Sequence, residues 1–269
     1  MSAVLLRQVR EHFSCHAADY DRFAKVQKIV AARLVDEALP LADSGRVLDV
    51  GTGTGEVGRC LLEQNPDLSL VICDIAPGMT RHAAAVLPGA LAVDCDAQLL
   101  PFASGAFSLA LSASVYQWMN DLPQAFGEAQ RILAAGGLFA FALFGAQTLH
   151  ELRYSHRQAV AEVNALGRSH VQEFPGREGV GEALAATDFR ILRLWSEREV
   201  EWHATVADLL RALKKIGAQN ASDHRPPGLA SRRVMQRMSE IYGERFACDG
   251  RIPATYEVIY GLARAPLKL

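Results

Sequence analysis

The chain has 269 residues, 28 lysines and arginines against 30 aspartates and glutamates, and a hydrophobic fraction of 50%. That length and composition suit one large domain or two small ones with a real core, and a net charge of -2 argues against general nucleic-acid binding. No apolar run approaches the ~20 residues that cross a bilayer, which excludes a helical membrane span.

The first ten residues hold two arginines around Ala3-Val4-Leu5-Leu6, too short an apolar stretch for a secretory signal. Five cysteines (Cys15, Cys60, Cys73, Cys95, Cys248) lack CxxC spacing. They read as reduced thiols of a cytoplasmic protein, not as staples or a zinc site. His12 and His16 stand four apart, but no third ligand lies near them, so no metal is expected.

From Arg46 the period of the pattern switches repeatedly. Short apolar runs fall at Val47–Val50, Ser69–Cys73, Ala90–Val93, Phe107–Leu111 and Leu138–Phe144. Near-continuous runs of that length suit strands buried on both faces of a parallel sheet. Of the helical patterns between them, the clearest opens at Asn120-Asp121 with Pro123 in its first turn. Its apolar stripe is Leu122, Ala125, Phe126, Ala129, Ile132 and Leu133, and Gly136-Gly137 is expected to stop it.

Beyond Phe144 the spacing predicts a long helix over Thr148–Leu166 and a short one over Gly179–Ala186. A strand of mixed polarity, Arg190–Trp202, follows. Helices are then expected over Val206–Ile216 and Leu229–Phe246, and a last strand over Thr255–Leu262. This series makes an α/β protein with a doubly wound, mostly parallel, seven-stranded sheet, whose ligands bind at the carboxyl ends of the strands. No linker is visible. Residues 1–269 read as one domain, with a core of about 45–145, 176–202 and 252–264 and a helical lid drawn from 1–40, 146–175 and 203–251.

The most informative stretch is Asp49-Val50-Gly51-Thr52-Gly53-Thr54-Gly55. Alternate glycines at a strand end let the backbone turn sharply and approach a ligand. Twenty-five residues after Asp49, Asp74 ends the second strand, where a carboxylate can accept two ribose hydroxyls. Asp96, with Ala97 beside it, sits just past the third strand, placed to meet an adenine amino group. Gly53-x-Gly55-x-x-Gly58 also matches a dinucleotide fingerprint, so glycine spacing alone leaves a nicotinamide cofactor open. Asp49 two residues before the first glycine, and Asp96-Ala97-x-x-Leu100-Pro101-Phe102, turn the reading. Together they resemble the S-adenosylmethionine site of the Rossmann-like class I methyltransferases.

A longer resemblance concerns the acceptor. Phe13-Ser14-x-x-Ala17-Ala18-x-Tyr20 with Gln27, Gln117-Trp118-x-x-Asp121-Leu122, and Phe144-Gly145-x-x-Thr148-Leu149-x-Glu151-Leu152-Arg153 form three of its blocks. Leu213-Lys214-Lys215-Ile216-Gly217-Ala218-x-Asn220 and Ile252–Gly261 complete the set. These resemble the biotin-pathway malonyl-acyl-carrier-protein O-methyltransferases over nearly the whole chain. The sequence departs from that family at Ala146, where proline is usual, and at Leu262 and Arg264, in place of His and Trp.

The resemblance implies methyl transfer from S-adenosylmethionine to the free malonyl carboxylate of an acyl-carrier protein, with no nucleic acid or membrane as partner. A carboxylate with an ordinary pKa of ~4 is ionised at neutral pH and needs no general base. Alignment and exclusion of water can carry the reaction. Cofactor-binding candidates are Gln27, Asp49, Gly51, Gly53, Gly55, Asp74, Asp96 and Ala97. Arg153 is the candidate clamp for the malonyl carboxylate, and Tyr20 and Gln117 are candidates for closing over the reacting groups. Trp118 reads equally well as core packing.

Carrier proteins are strongly acidic, and His203–Cys248 carries eight cations against four acids. Lys214, Arg232, Arg233 and Arg237 are the docking candidates, with Arg233 and Arg237 on the face opposite the apolar stripe Val234, Met235, Met238, Ile241, Tyr242. Two other readings stay open. One is methylation of another small acid or quinone-like acceptor; the other is a methyltransferase-fold accessory or assembly protein.

Overall fold

The computed structural model describes residues 4–163, 174–217 and 232–267. Two helices, α1 (Leu6–Phe23) and α2 (Lys25–Ala38), precede an alternating series: β1 (Arg46–Val50), α3 (Glu56–Gln64), β2 (Ser69–Asp74), α4 (Pro77–Val86), β3 (Leu91–Asp94) and β4 (Phe107–Ala113). Then come α5 (Leu122–Ile132), β5 (Leu133–Phe144), α6 (His150–Glu162), α7 (Arg177–Ala185), β6 (Arg190–His203), α8 (Val206–Lys215), α9 (Arg232–Phe246) and β7 (Ile252–Arg264).

The seven strands form one sheet in the order β3-β2-β1-β4-β5-β7-β6. The first five are parallel, and β7 runs antiparallel to both β5 and β6. The winding reverses between β1 and β4, so a crevice opens at their carboxyl ends. Alternation along the strands splits the core into two layers. Val47, Leu70, Ile72, Leu109 and Leu111 face α2 and α3, whereas Leu48, Val50, Val71, Ala110 and Phe139 face α5 and α7.

Element ends differ from the sequence reading where tertiary contacts intervene. The Asp121 carboxylate caps α5 by accepting the Gln124 amide at 2.9 Å, as its position predicts. The helix nevertheless ends at Ile132, ahead of Gly136-Gly137, because Leu133 is already buried and pairs with Phe107. The extra residues before Leu138 make a bulge in β5, with Gly136 at φ +74°. Helix α6 starts at His150 because the Thr148 hydroxyl and Leu149 amide are taken by Glu257 and Thr255 of β7, with Leu149 left-handed at φ +53°. The expected helix end at Leu166 and helix start at Leu229 lie outside the described residues, as do Ala218 and Asn220.

The expectation that residues 1–40 lie in the lid divides at Ala24. Six residues of α2 are buried in the main core (Val26, Val30, Ala31, Leu34, Val35, Ala38), so α2 is a core helix. Helix α1 buries only Val9 and Ala17 and lies over the crevice. Two of the family departures sit at the other end of the sheet. Arg264 faces Leu138 and binds Asp43 and the Leu41 and Gly136 carbonyls, and Leu262 is core.

Candidate active site

Strand β1 delivers its chain into three left-handed glycines: Gly51 (φ +70°), Gly53 (φ +56°) and Gly55 (φ +96°), which precedes α3. The Gly51 and Thr52 amides both donate to the Cys73 carbonyl, at 2.7 and 2.9 Å, locking the loop to the end of β2. A Cβ on Gly51 would stand 2.2 Å from a Val115 methyl, whereas one on Gly53 would meet nothing within 4 Å. Gly51 is therefore required by packing, and Gly53 borders open space.

That space is a cleft open to solvent at its mouth. Gly51, Gly53, Asp74, Ile75, Asp96 and Ala97 are among its walls, and α1 roofs it with Leu6, Val9, Phe13 and Tyr20. The half-buried Asp74 accepts the Gly53 amide at 2.9 Å on one oxygen and the Ala76 amide at 2.8 Å on the other. Burial pushes its carboxyl up to about 6; the Ala76 and Gly53 bonds pull against the rise and Asp94 adds to it. Asp96 takes the Gln98 amide at 2.9 Å, a turn that presents it to the cleft beside the buried Ala97.

Asp49 is fully buried under the loop, and neither carboxylate oxygen has a hydrogen-bond partner. Burial pushes it up to about 7; the Thr52 hydroxyl pulls down without reaching hydrogen-bond geometry, and the Asp74 charge raises it further. Such a carboxylate is costly in its charged form, so it holds its proton up to about neutral pH unless a cation meets it. A smaller opening continues past the loop between α1 and α2, lined by Tyr20, Asp21, Gln27, Lys28, Thr54 and Glu56.

Tyr20 touches both openings, and burial, with Asp74 and Asp21 nearby, raises its phenol well above the usual range. The roof is fastened at three points. Thr54 donates to Asp21 at 2.7 Å, the Gly78 amide of α4 donates to the Ser14 hydroxyl at 3.2 Å, and Lys215 of α8 pairs with Asp19 at 2.8 Å.

The structure does not gather every residue singled out in the sequence. Gln117 is buried away from the cleft walls; its amide donates to the Ser114 carbonyl at 2.7 Å and accepts from the Phe144 amide at 3.4 Å. It ties the ends of β4 and β5 together. Trp118 does line the cleft, edge-on to Phe13 and Phe174. Arg153 donates to the Ala146 carbonyl, the position of the third family departure.

Among the docking candidates, Lys214, Arg232 and Arg233 are exposed. Arg237 instead pairs with Glu162 at 2.6 Å, Glu240 at 3.2 Å and Glu244 at 3.4 Å, joining α9 to α6. Arg211 and Lys215 pair with Asp208 and Asp19, and Arg245 lies over Tyr154 at 4.5 Å. The charge excess of the segment is thus narrower than its composition.

Residues 48–141 match the methyltransferase domain family. The fold resembles that of a candidate methyltransferase from Bacillus halodurans (TM-score 0.61, 18% identity, 88% of this chain and 98% of that one). It also resembles geranyl diphosphate C-methyltransferase of Streptomyces coelicolor A3(2), solved with S-adenosyl-L-homocysteine (TM-score 0.51, 15% identity, 87% and 78%). The sequence is 43% identical over 264 residues to a malonyl-acyl-carrier-protein O-methyltransferase of Geobacter sulfurreducens, covering 96% of this chain and 98% of the relative. A relative of the same description from Halorhodospira halophila is 38% identical over 96% and 87%. The chain belongs to the malonyl-acyl-carrier-protein O-methyltransferase family.

Likeness within this family extends through the roof helix and the segments after β5, beyond the domain model's match. Sequence reasoning missed Ile75, Val115 and Met79 as cleft walls, and Asp21 and Thr54 as the roof's fastening. Ile75 directly follows Asp74, so its position was readable; the Asp21–Thr54 contact joins segments 33 residues apart and carries no local signal. Among the described residues no helix is long and apolar enough to cross a membrane, and no group of potential metal ligands is present.

Proposed function

We propose that the chain transfers a methyl group from S-adenosylmethionine to the free carboxylate of malonyl-acyl-carrier protein, giving a methyl ester early in biotin (pimeloyl) synthesis. The observation that carries this reading is the near-full-length identity to the Geobacter sulfurreducens enzyme, which includes the roof and the segments beyond the fold core.

The site fits the cofactor on two counts of its own. Gly53 borders open space that even a single Cβ would intrude upon, and Asp49 is a buried carboxylate without a hydrogen-bond partner under the same loop. The cofactor supplies an electrophilic methyl on a positively charged sulfur, which leaves with the bonding electron pair as the carboxylate oxygen takes the methyl. In this reading Asp74 and Asp96 hold the ribose and adenine, and Asp49 balances positive charge at the methionine end. Gln27 lines that end, and Tyr20 and Trp118 exclude water. Gln117 positions β4 against β5 under the acceptor, and Arg153 meets the malonyl carboxylate. No side chain has to remove a proton, since the acceptor is ionised at neutral pH. Lys214, Arg232 and Arg233 form the docking surface for the acidic carrier, with Arg237 supporting it through α6.

The test is transfer of labelled methyl to purified malonyl-acyl-carrier protein, with holo-carrier and malonyl-CoA in parallel. Label on the malonyl carrier, and none on holo-carrier, is expected. No label on any acceptor, with cofactor binding intact by calorimetry, overturns the reading. Equal label on malonyl-CoA overturns the docking surface.

A further inference from the structure

The smaller opening has an uneven charge lining. Among the described residues that line the two openings, Asp21, Glu56, Asp74 and Asp96 are acids, and Lys28 is the single cation. Glu56 is already held by Arg59 at 2.5 Å. Lys28 is not held in the same way. Its ammonium stands 3.8 Å from Asp21, beyond hydrogen-bond range, and the Asp21 oxygen it faces already accepts the Thr54 hydroxyl at 2.7 Å. The Lys28 side chain is 38% exposed at the mouth of the opening. Its backbone is fixed, because Val26, Val30 and Ala31 on either side are packed into the main core.

A ligand whose nucleoside part occupies the larger cleft extends an amino-acid end into the smaller one. That end carries both an ammonium and a carboxylate. The ammonium finds acids there, but the carboxylate meets Asp21 and Glu56 as well, and among the described residues Lys28 is the one cation lining the opening that can receive it. We propose that Lys28 receives the α-carboxylate of the cofactor's amino-acid end, with Asp21 holding the lysine in place when no ligand is bound. This rests on the reading of the cofactor as S-adenosylmethionine, and it names a cation that the motif residues do not include.

Calorimetry with two probes tests it. S-adenosylhomocysteine has the amino-acid end, and 5′-methylthioadenosine has the nucleoside without it. Lys28→Met is expected to weaken S-adenosylhomocysteine binding about tenfold or more, and Lys28→Arg to restore it to within about threefold. Binding of 5′-methylthioadenosine should stay within about twofold in all three proteins, which also reports that the site is folded. Unchanged S-adenosylhomocysteine binding in Lys28→Met overturns the proposal, as does an equal loss for both probes. A wild-type chain that binds neither nucleoside overturns the cofactor reading along with it.

Discussion

Alanine at Gly51 and at Gly53 separates packing from ligand approach, because the two positions share a backbone conformation and differ in surroundings. Both are left-handed, at φ +70° and +56°. A Cβ in that region costs about 1–2 kcal/mol. At Gly53 the new methyl meets nothing within 4 Å, so that is the whole stability cost. At Gly51 it would sit 2.2 and 2.7 Å from the two Val115 methyls, and overpacking adds about 1–3 kcal/mol. Gly51→Ala should therefore melt lower than Gly53→Ala, at roughly 2–4 °C per kcal/mol for a chain of this size. The order reverses for ligand. Saturating S-adenosylhomocysteine at 100 times its Kd stabilises the wild type by about 2.7 kcal/mol, visible as a rise in Tm. Gly53→Ala places a methyl in the cleft and should lose that rise almost entirely. Differential scanning fluorimetry with and without ligand reads both effects. If Gly53→Ala keeps the wild-type ligand shift, the ligand does not pass over Gly53. If it melts as low as Gly51→Ala, the open space beside it is not there.

Asp49 and Asp74 sit at about 7 and about 6 in the folded chain, against ~3.9 unfolded, so the folded state holds protons that the unfolded state gives up. Their contribution to stability should fall as pH rises from about 4 to 7 and level off above, and an ammonium-bearing ligand bound near pH 6.5 should expel protons. Calorimetry in buffers of different ionisation enthalpy measures that release; buffer-independent heats would contradict it. On α9, Arg232→Glu with Arg233→Glu should raise KM for the carrier-bound substrate at unchanged Tm, whereas Arg237→Glu should lower Tm because it breaks the pairs to Glu162, Glu240 and Glu244. Equal KM at low salt for the double variant and the wild type would remove the pair from the interface. Glu151 is buried and accepts the Thr255 hydroxyl and amide, so Glu151→Ala strands two donors and should cost about 2–5 kcal/mol in urea unfolding. A loss below ~1 kcal/mol would show that water replaces the carboxylate.

The parts of the site that the sequence displays are those set by local geometry. Glycines at the end of β1 and carboxylates at the ends of β2 and β3 stand where strand ends meet the crevice, and their spacing follows from strand and helix length. Asp49 could be located but its state could not: that it is buried without a hydrogen-bond partner emerges only once the strand and the loop are packed. A lid drawn from residues 1–40 is expected from the sequence, but the contacts that fasten it are invisible in the pattern. Asp21 meets Thr54, Ser14 meets Gly78 and Asp19 meets Lys215 across 33, 64 and 196 residues. Gln117 is a candidate for closing over the reacting groups in the sequence, but its amide is taken up by backbone groups at the ends of β4 and β5 that become neighbours only once the sheet forms.

The same distinction explains why charge counting over His203–Cys248 overstated the free surface. Sequence gives the number of cations, whereas docking depends on those left over after the chain has paired its own. Arg237 lies on the polar face of α9, as its spacing requires, yet α6 packs there and brings Glu162 to 2.6 Å. A cation tied to three acids adds little to the field a partner feels. Lys28 is the converse case. It lies on a helix mostly buried in the core, where spacing suggests nothing beyond a solvated edge, yet among the described residues it is the single cation lining the two openings, and its pairing with Asp21 is loose at 3.8 Å. In both cases the chemistry available to a ligand is set by how tightly the fold has already paired each charge, a property of the assembled elements that no single segment carries.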